Sequence, residues 1–255
     1  MKVKVINWTM DALETLIYTK NTRLAGEQTI DEIGMWPEER KLQELAYMRD
    51  TIKSSWEFVD YTFEISGVSR AFTHQLVRTR QGSYAQESQR TVDVRDHEVK
   101  EPEFSEETLR SMWRDAVEMA LTSYGNLVDH GAPIQDARGI LPTNVTTSII
   151  AKFSLRTLHE MAMTRLCTRT QGEYQDVFRA MKAAVVQIHP WAEPFIRVAC
   201  ATNGICIFPR YKECPIQRWT YNASPCHGTK LRVIQEQWEQ NRHEAHPVAK
   251  DGRTM

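Results

Sequence analysis

The residues best equipped for chemistry lie in one run, Gln75-Leu76-Val77-Arg78-Thr79-Arg80-Gln81-Gly82-Ser83-Tyr84-Ala85-Gln86-Glu87-Ser88-Gln89-Arg90. Between Arg70 and Arg95 there are five arginines, no lysine, and only Glu87 and Asp93 as acids, a local charge of +3. A guanidinium presents a planar fork of donors that matches phosphate and carboxylate oxygens, and it stays charged at any working pH. Ser83, Ser88, Gln86 and Gln89 add hydroxyl and amide groups beside those forks. Such a mixture suits a phosphorylated small ligand rich in hydrogen-bonding groups. The competing explanation is a solvated, Arg-rich helix end, which is what most charge clusters are.

The chain as a whole hides this cluster. Its 255 residues carry 32 Lys+Arg against 33 Asp+Glu, a formal net charge of −1. That balance excludes a globally basic nucleic-acid coat protein and an acidic tail protein. Arginine (21) outnumbers lysine (11), and no lysine occurs between Lys53 and Lys100, so the skew falls on the run above. Hydrophobic residues at 41% and charged residues at 25% fit a soluble globular protein. No apolar run exceeds four residues, so no membrane span is expected. The start, Met1 to Asn7, lacks the apolar block of a secretion signal. Five cysteines, an odd number, fit reduced thiols in a cytoplasm better than a disulfide framework.

The elements that must position the run follow from periodicity and punctuation. A strand is expected over Val3 to Asn7, then a helix from Asp11, its N-cap, to Arg23 with Leu13, Leu16 and Ile17 inward. Pro37 introduces a helix from Glu38 to about Lys53 through Leu42, Leu45, Ala46 and Met48. Tyr61 to Ser66 alternates as a strand ended by Gly67, and Ser69 caps a helix to Val77. Ser83-Tyr84-Ala85 is extended, and Arg90 to Pro102 is a loop or edge hairpin. Ser105 starts a long helix to His130, with Trp113, Ala116, Val117, Ala120, Leu121 and Tyr124 on one face, stopped by Gly131 and Pro133. Ser148 to Thr168 has helical spacing through Ile149, Phe153, Leu158 and Met161, and a last helix runs from Glu173 to Ile188. Trp191 and Phe195 are expected in the core. The fold class is α+β, a single helix-rich domain with a small sheet over residues 1–228, followed by a polar tail, 229–255.

The arginine run resembles the signature of the flavin-dependent thymidylate synthases, Arg-His-Arg followed after seven residues by Ser. Here Arg78-Thr79-Arg80, seven residues and Ser88 keep the spacing, and Ser83 through Arg90 matches the extension Ser-Tyr-x-Gln-x-Ser-x-Arg. Upstream, Tyr61-Thr62-Phe63, Ile65, Gly67-Val68-Ser69-Arg70 and Gln75 are similar to the family's strand and helix. Downstream, Ala137-Arg138-Gly139-Ile140-Leu141-Pro142 is similar to its Ala-Arg-x-x-Leu-Pro element, and Arg156, Arg165 and Glu173 match its later helix. The resemblance runs from about residue 45 to residue 190.

The resemblance implies that FAD, reduced by NADPH, and methylenetetrahydrofolate serve to methylate dUMP at C5, in a homotetramer with active sites shared between subunits. It implies no attacking cysteine, and none lies in or beside the arginine run. By position, Gln75, Arg78, Gln86, Glu87, Ser88, Gln89, Arg90 and Arg138 correspond to the nucleotide cradle. Arg165 corresponds to the catalytic arginine beside the uracil, where a fixed positive charge stabilises developing negative charge. Ser54, Arg78, Thr79, Arg80, Gln86, Ser154, Arg156 and Glu160 correspond to flavin contacts. A salt bridge from Arg165 to Glu160 or Glu173 would be the purely structural explanation of that arginine.

Several positions depart from the family. Thr79 replaces its central His, Ile52 and Phe58 replace two upstream His, Ser154 replaces Asn, and Glu160 stands where Asn or His is usual. These changes gather on the flavin side and leave the nucleotide side nearly intact. The alternatives are a UMP methylase or another C5-modifying enzyme on the same fold, for instance in nucleoside-antibiotic biosynthesis, and a non-catalytic nucleic-acid-binding protein. Cys200, Cys206, Cys214 and Cys226, with His227, lack the Cys-x2-Cys knuckle, so no metal is assigned. Partners are expected to be the nucleotide and further copies of the chain, with no nucleic acid and no membrane.

Overall fold

The computed structural model describes residues 1–51, 53–203, 206 and 214. Its centre is a four-stranded antiparallel sheet in the order β1-β2-β4-β3, formed by β1 (Lys2–Trp8), β2 (Asp60–Ser69), β3 (Ser83–Gln86) and β4 (Thr146–Ser154). Along β2, Tyr61, Phe63 and Ile65 are buried, and along β4, Thr147, Ile149, Ala151 and Phe153, the period of two expected of strands. Gly67 does not end β2. It takes a φ of 63° at a bulge between Ser66 and Val68, and pairing with β4 resumes to Ser69. Residues 148–154, which the spacing assigned to a helix, are strand; helix begins only at Leu155.

The helices are α1 (Ala12–Arg23), α2 (Ile30–Gly34), α3 (Glu38–Arg49), α4 (Arg70–Leu76), α5 (Glu107–Asp129), α6 (Ile134–Ala137), α7 (Leu155–Arg165), α8 (Gly172–Ile188) and α9 (Ala199–Asn203). Asp11 precedes α1 in a left-handed conformation and makes no side-chain cap. Thr29 and Glu32 cap α2 reciprocally, a short element that periodicity did not show. The expected helix through Lys53 stops at Arg49, and Lys53–Phe58 winds as a 3₁₀ turn. Only Leu45 and Met48 of its expected apolar face are buried. Glu106, not Ser105, occupies the α5 N-cap, without a side-chain bond.

α8 packs on β1 and β2 through Tyr174, Val177, Phe178, Met181 and Val185, and α7 packs on β4. Phe195 is buried in the same core, with Trp191 packed against it. A second, smaller cluster of Val94, Tyr124, Ala137 and Val145 joins α5, α6 and the loop before α5. Tyr124 is the only buried residue of α5; the rest of the face expected to bury is half or fully exposed.

Candidate active site

The corner between β2 and α4 aims the arginine run. Ser69 Oγ accepts the Phe72 N–H at 3.0 Å, answering a donor of the first helical turn. Glu173, in the first turn of α8, accepts the Ser69 N–H at 2.8 Å, the Ser69 hydroxyl, and Lys100 Nζ at 3.1 Å. α8 is thereby tied to the start of α4.

Beyond α4 the chain turns back through Arg78, Thr79 and Arg80. Tyr84 Oη lies 2.6 Å from the Thr79 carbonyl and 3.0 Å from the Leu76 carbonyl, sharing its one proton between them. Burial pushes this hydroxyl up to about 12, so it remains a donor at neutral pH. Gly82 closes the turn where no side chain fits: a Cβ there would stand 2.4 Å from Phe153 Cε1 and 2.6 Å from Tyr84 Oη.

Thr79 looks onto Tyr174, and Arg165 at the end of α7 lies over the Tyr174 ring, 4.2 Å from its centroid. The Tyr174 hydroxyl is buried, with Thr79 and Arg165 as its polar neighbours but no hydrogen bond of good geometry among the described residues. Burial raises its pKa, and the Arg165 charge pulls against that rise. The salt-bridge explanation of Arg165 fails. Glu160 pairs with Arg156 at 3.1 Å, Glu173 pairs with Lys100, and Arg165 has no ion pair among the described residues.

Among the residues expected around the nucleotide, Gln86 Nε2 donates to Thr73 Oγ1 at 2.8 Å and the Glu87 N–H donates to the Ser148 carbonyl at 3.0 Å. The Glu87 carbonyl accepts from Arg70 Nη1 at 3.0 Å, and Ser88 Oγ accepts the Arg90 N–H at 3.2 Å. Arg90 Nη2 reaches Gln135 Oε1 at 3.4 Å, while Arg138 Nε donates to the Gln135 carbonyl at 3.1 Å. One glutamine therefore gathers two arginines 48 positions apart in the chain. Burial and the nearby Arg138 charge lower the Arg70 pKa. Gln75 donates to Gln171, and Gln89 is half-buried within the same loop.

The expected flavin residues fall into two groups. Ser154 Oγ accepts the Thr157 N–H at 3.2 Å and donates to Glu57 Oε2 at 2.7 Å; Arg156 pairs with Glu57 at 3.4 Å and with Glu160. Ser54 Oγ is buried and has no hydrogen-bond partner among the described residues. Arg78 and Arg80 are exposed, and no hydrogen bond or ion pair among the described residues joins them to the Glu57–Arg156–Glu160 network. Ile52 lies outside the described residues.

The arginines differ in their ion pairing. Arg49, Arg95, Arg110, Arg114, Arg156, Arg179 and Arg197 each meet a carboxylate. Among the described residues Arg78, Arg80, Arg90, Arg138 and Arg165 do not, nor do Arg23, Arg40, which lies over the Trp36 ring, and Arg70, which donates to the Glu87 carbonyl. Two participants were hidden from motif reading. Gln135 stands one helical turn before Arg138, its only sequence signal, and Tyr174 merely adjoins Glu173.

The thiols gather differently from the expectation. Cys167, from the end of α7, approaches Cys200, Cys206 and Cys214; burial and the neighbouring thiols push Cys167 up, and Cys200 to about 12. Thr168 Oγ1 lies 3.6 Å from Cys214 Sγ. Among the described residues no three His, Cys, Asp or Glu are grouped to hold a metal ion. Cys226, His227 and the tail 229–255 lie outside the described residues.

The family described as "Thymidylate synthase complementing protein" matches residues 4–191 of the chain. The flavin-dependent thymidylate synthase of Sulfurisphaera tokodaii is 32% identical over 197 residues, 74% of this chain and 75% of that protein. That of Pyrococcus horikoshii is 33% identical over 222 residues, 81% of this chain and 89% of that protein. The crystal structure of flavin-dependent thymidylate synthase ThyX from Helicobacter pylori, complexed with FAD and dUMP, superimposes with a TM-score of 0.63 at 20% identity. It covers 77% of this chain and 100% of that one, and it shares the fold.

Proposed function

The chain belongs to the family of flavin-dependent thymidylate synthases, and from that premise we propose that it methylates dUMP at C5, with methylenetetrahydrofolate as carbon donor and NADPH-reduced FAD. The observation that carries this reading is that five arginines at the motif positions, Arg78, Arg80, Arg90, Arg138 and Arg165, have no carboxylate partner among the described residues. Unpaired guanidinium groups held near one another repel, so the arrangement is favourable once anions fill it. Both ligands named for the Helicobacter pylori enzyme carry phosphate.

Arg90, Arg138 and Ser88, ordered around Gln135, hold the nucleotide phosphate, with Gln75, Gln86, Glu87 and Gln89 around the sugar and base. Arg165, steadied by the Tyr174 face, stands beside the uracil. Its permanent charge stabilises negative charge developing on the pyrimidine as C5 becomes nucleophilic. Thiol attack on the ring is not called on: no cysteine lies in the arginine run, and burial raises the pKa of half-buried Cys167 and Cys200, which disfavours their thiolates.

The residues present fit a flavin. Ser54 offers a buried hydroxyl without a partner, and Arg78, Thr79 and Arg80 offer an exposed, uncompensated donor loop. Bound FAD supplies the reducing equivalent that completes the methyl group. Arg156 is already shared by Glu57 and Glu160, so Arg78 and Arg80 would hold the flavin diphosphate, with Ser154, Arg156 and Glu160 as further contacts.

The two separated flavin groups agree with a site completed by another subunit, and α5 supplies a surface for assembly. Leu109, Met112, Ala116, Met119 and Leu127 recur along one exposed side of it, with Met119 70% exposed. A homotetramer buries such a stripe. No helix among the described residues is long and apolar enough to cross a membrane, and the proposed location is cytoplasmic.

The test is a product assay. Flavin-loaded protein is incubated with NADPH, methylenetetrahydrofolate and either dUMP or UMP, and nucleotides are resolved by mass spectrometry. dTMP is the expected product. Methylation of UMP alone would reassign the sugar, and colourless protein that cannot take up FAD would overturn the reading.

A further inference from the structure

Behind the flavin face of α7 lies a cavity of about 310 Å³ that none of the site residues enters. Arg49, Asp50, Thr51, Lys53, His159 and Arg197 line it. Its wall is built around His159, which precedes the exposed Glu160 but is itself only 2% exposed. His159 Nδ1 lies 2.8 Å from the Phe195 carbonyl, which can only accept, so Nδ1 carries the ring proton. Nε2 is then an acceptor, and Lys53 Nζ lies 2.9 Å from it. The ammonium also stands 5.5 Å from the Trp56 ring centroid, in cation–π range.

Lys53 is thus held in place by a neutral imidazole and an aromatic face, neither of which cancels its charge. It has no ion pair among the described residues. The other cations of the lining already have partners: Arg49 pairs with Asp50 at 3.2 Å, and Arg197 shares Glu193 with Lys182. Four cations, Arg49, Lys53, Arg197 and Lys182, stand at or beside the wall, with Asp50 and Glu193 as carboxylate partners. Thr51 Oγ1, also on the wall, is buried with no hydrogen-bond partner. A fixed ammonium, flanking guanidinium groups and an unanswered hydroxyl are the donors that an oxyanion requires. A cavity of this volume stands at the lower end of small-molecule sites, which run from about 300 Å³ upward.

We propose that this cavity is a second anion site, taking phosphate or the phosphate group of a small ester, separate from the nucleotide cradle. The cradle is built by α4, β3 and α6; the cavity is built by the end of α3, the turn Lys53–Phe58, α7 and the segment around Arg197. The inference rests on these groups and not on the catalytic reading, and its readout is binding rather than turnover.

The experiment is calorimetric titration of flavin-loaded protein, saturated with dUMP so that the cradle is filled, at constant ionic strength. One arm receives inorganic phosphate and the other glycerol phosphate. One-site binding is expected in the wild type, weakened at least about tenfold in Lys53→Met, as loss of a charge-assisted hydrogen bond implies, and kept within a few-fold in Lys53→Arg. Tighter binding of the ester assigns the site to phosphorylated metabolites, and tighter binding of phosphate assigns it to the free ion. If Lys53→Met does not fold, Arg49→Gln gives the same reading from another part of the wall. No binding in either arm, or equal binding by the charge-neutral variant, overturns the proposal.

Discussion

Replacing Gly82 with alanine adds one methyl group at the most crowded point of the arginine loop. The new Cβ would sit 2.4 Å from Phe153 Cε1 and 2.6 Å from Tyr84 Oη, both far inside contact distance. Phe153 cannot withdraw, because it is buried between Phe63 and Tyr84. Tyr84 can move only by giving up its contacts to the Thr79 and Leu76 carbonyls. Overpacking of this kind costs about 1–3 kcal/mol, and loss of the Tyr84 hydrogen bond adds about 1 kcal/mol. Gly82→Ala should therefore lower stability by roughly 2–4 kcal/mol, read as the urea midpoint at fixed protein concentration. The freed loop carries Arg78 and Arg80, so flavin should be lost on dilution faster than in the wild type. Adding Tyr84→Phe, which removes the obstructing oxygen, should recover part of the stability but not the flavin. A single variant as stable as the wild type, with unchanged flavin retention, would refute the argument that the loop is pinned by Tyr84 and Phe153.

Arg165→Ala should reduce turnover at least about 100-fold while light scattering shows the assembly unchanged; Arg165→Lys should recover little, since an ammonium lacks the planar stack on Tyr174. Activity within a few-fold of wild type would remove Arg165 from the mechanism. Burial holds His159 and His189 below the ordinary histidine value, so the unfolded chain takes up protons first as pH falls below about 6.5. Stability is then complete above that pH and declines toward pH 5.5; a urea midpoint that is flat or rising over this window would contradict the neutral tautomer assigned to His159. Met112→Lys combined with Met119→Lys places two charges on the exposed stripe of α5 and should shift the protein to smaller species by light scattering, an outcome absent if that stripe faces only water.

Much of this arrangement was legible before any coordinates. The spacing of Arg78, Arg80, Ser88 and Arg90 located the loop, and Ser69 marked the start of α4 because a cap is a local, sequence-adjacent interaction. Residues 148–154 misled for a physical reason. Alternation of Ile149, Ala151 and Phe153 is the strand signal, but Ile149, Phe153 and Leu158 also continue a helical spacing into α7, which follows with no intervening loop. α5 misled because its apolar residues are spread over two sides, one meeting the small cluster at Tyr124 and the other left exposed. Long-range partners had no local signal. Glu57 reaches Ser154 and Arg156 across 97 and 99 positions, and Tyr174 meets Thr79 only because α8 is anchored at Ser69. The Arg156–Glu160 pair, one helical turn apart, could be anticipated; that Glu57 would share the same guanidinium could not.

The central claim is that Arg90 and Arg138, which have no carboxylate partner among the described residues, hold the nucleotide phosphate. Calorimetric binding of dUMP to flavin-loaded protein tests it most directly, comparing wild type with Arg90→Ala, Arg138→Ala and Arg95→Ala, the last being bonded to Asp93 and Asp129. The account requires affinity to fall at least about tenfold for each of the first two and to stay unchanged in the third. Equal affinity in all four proteins would contradict it.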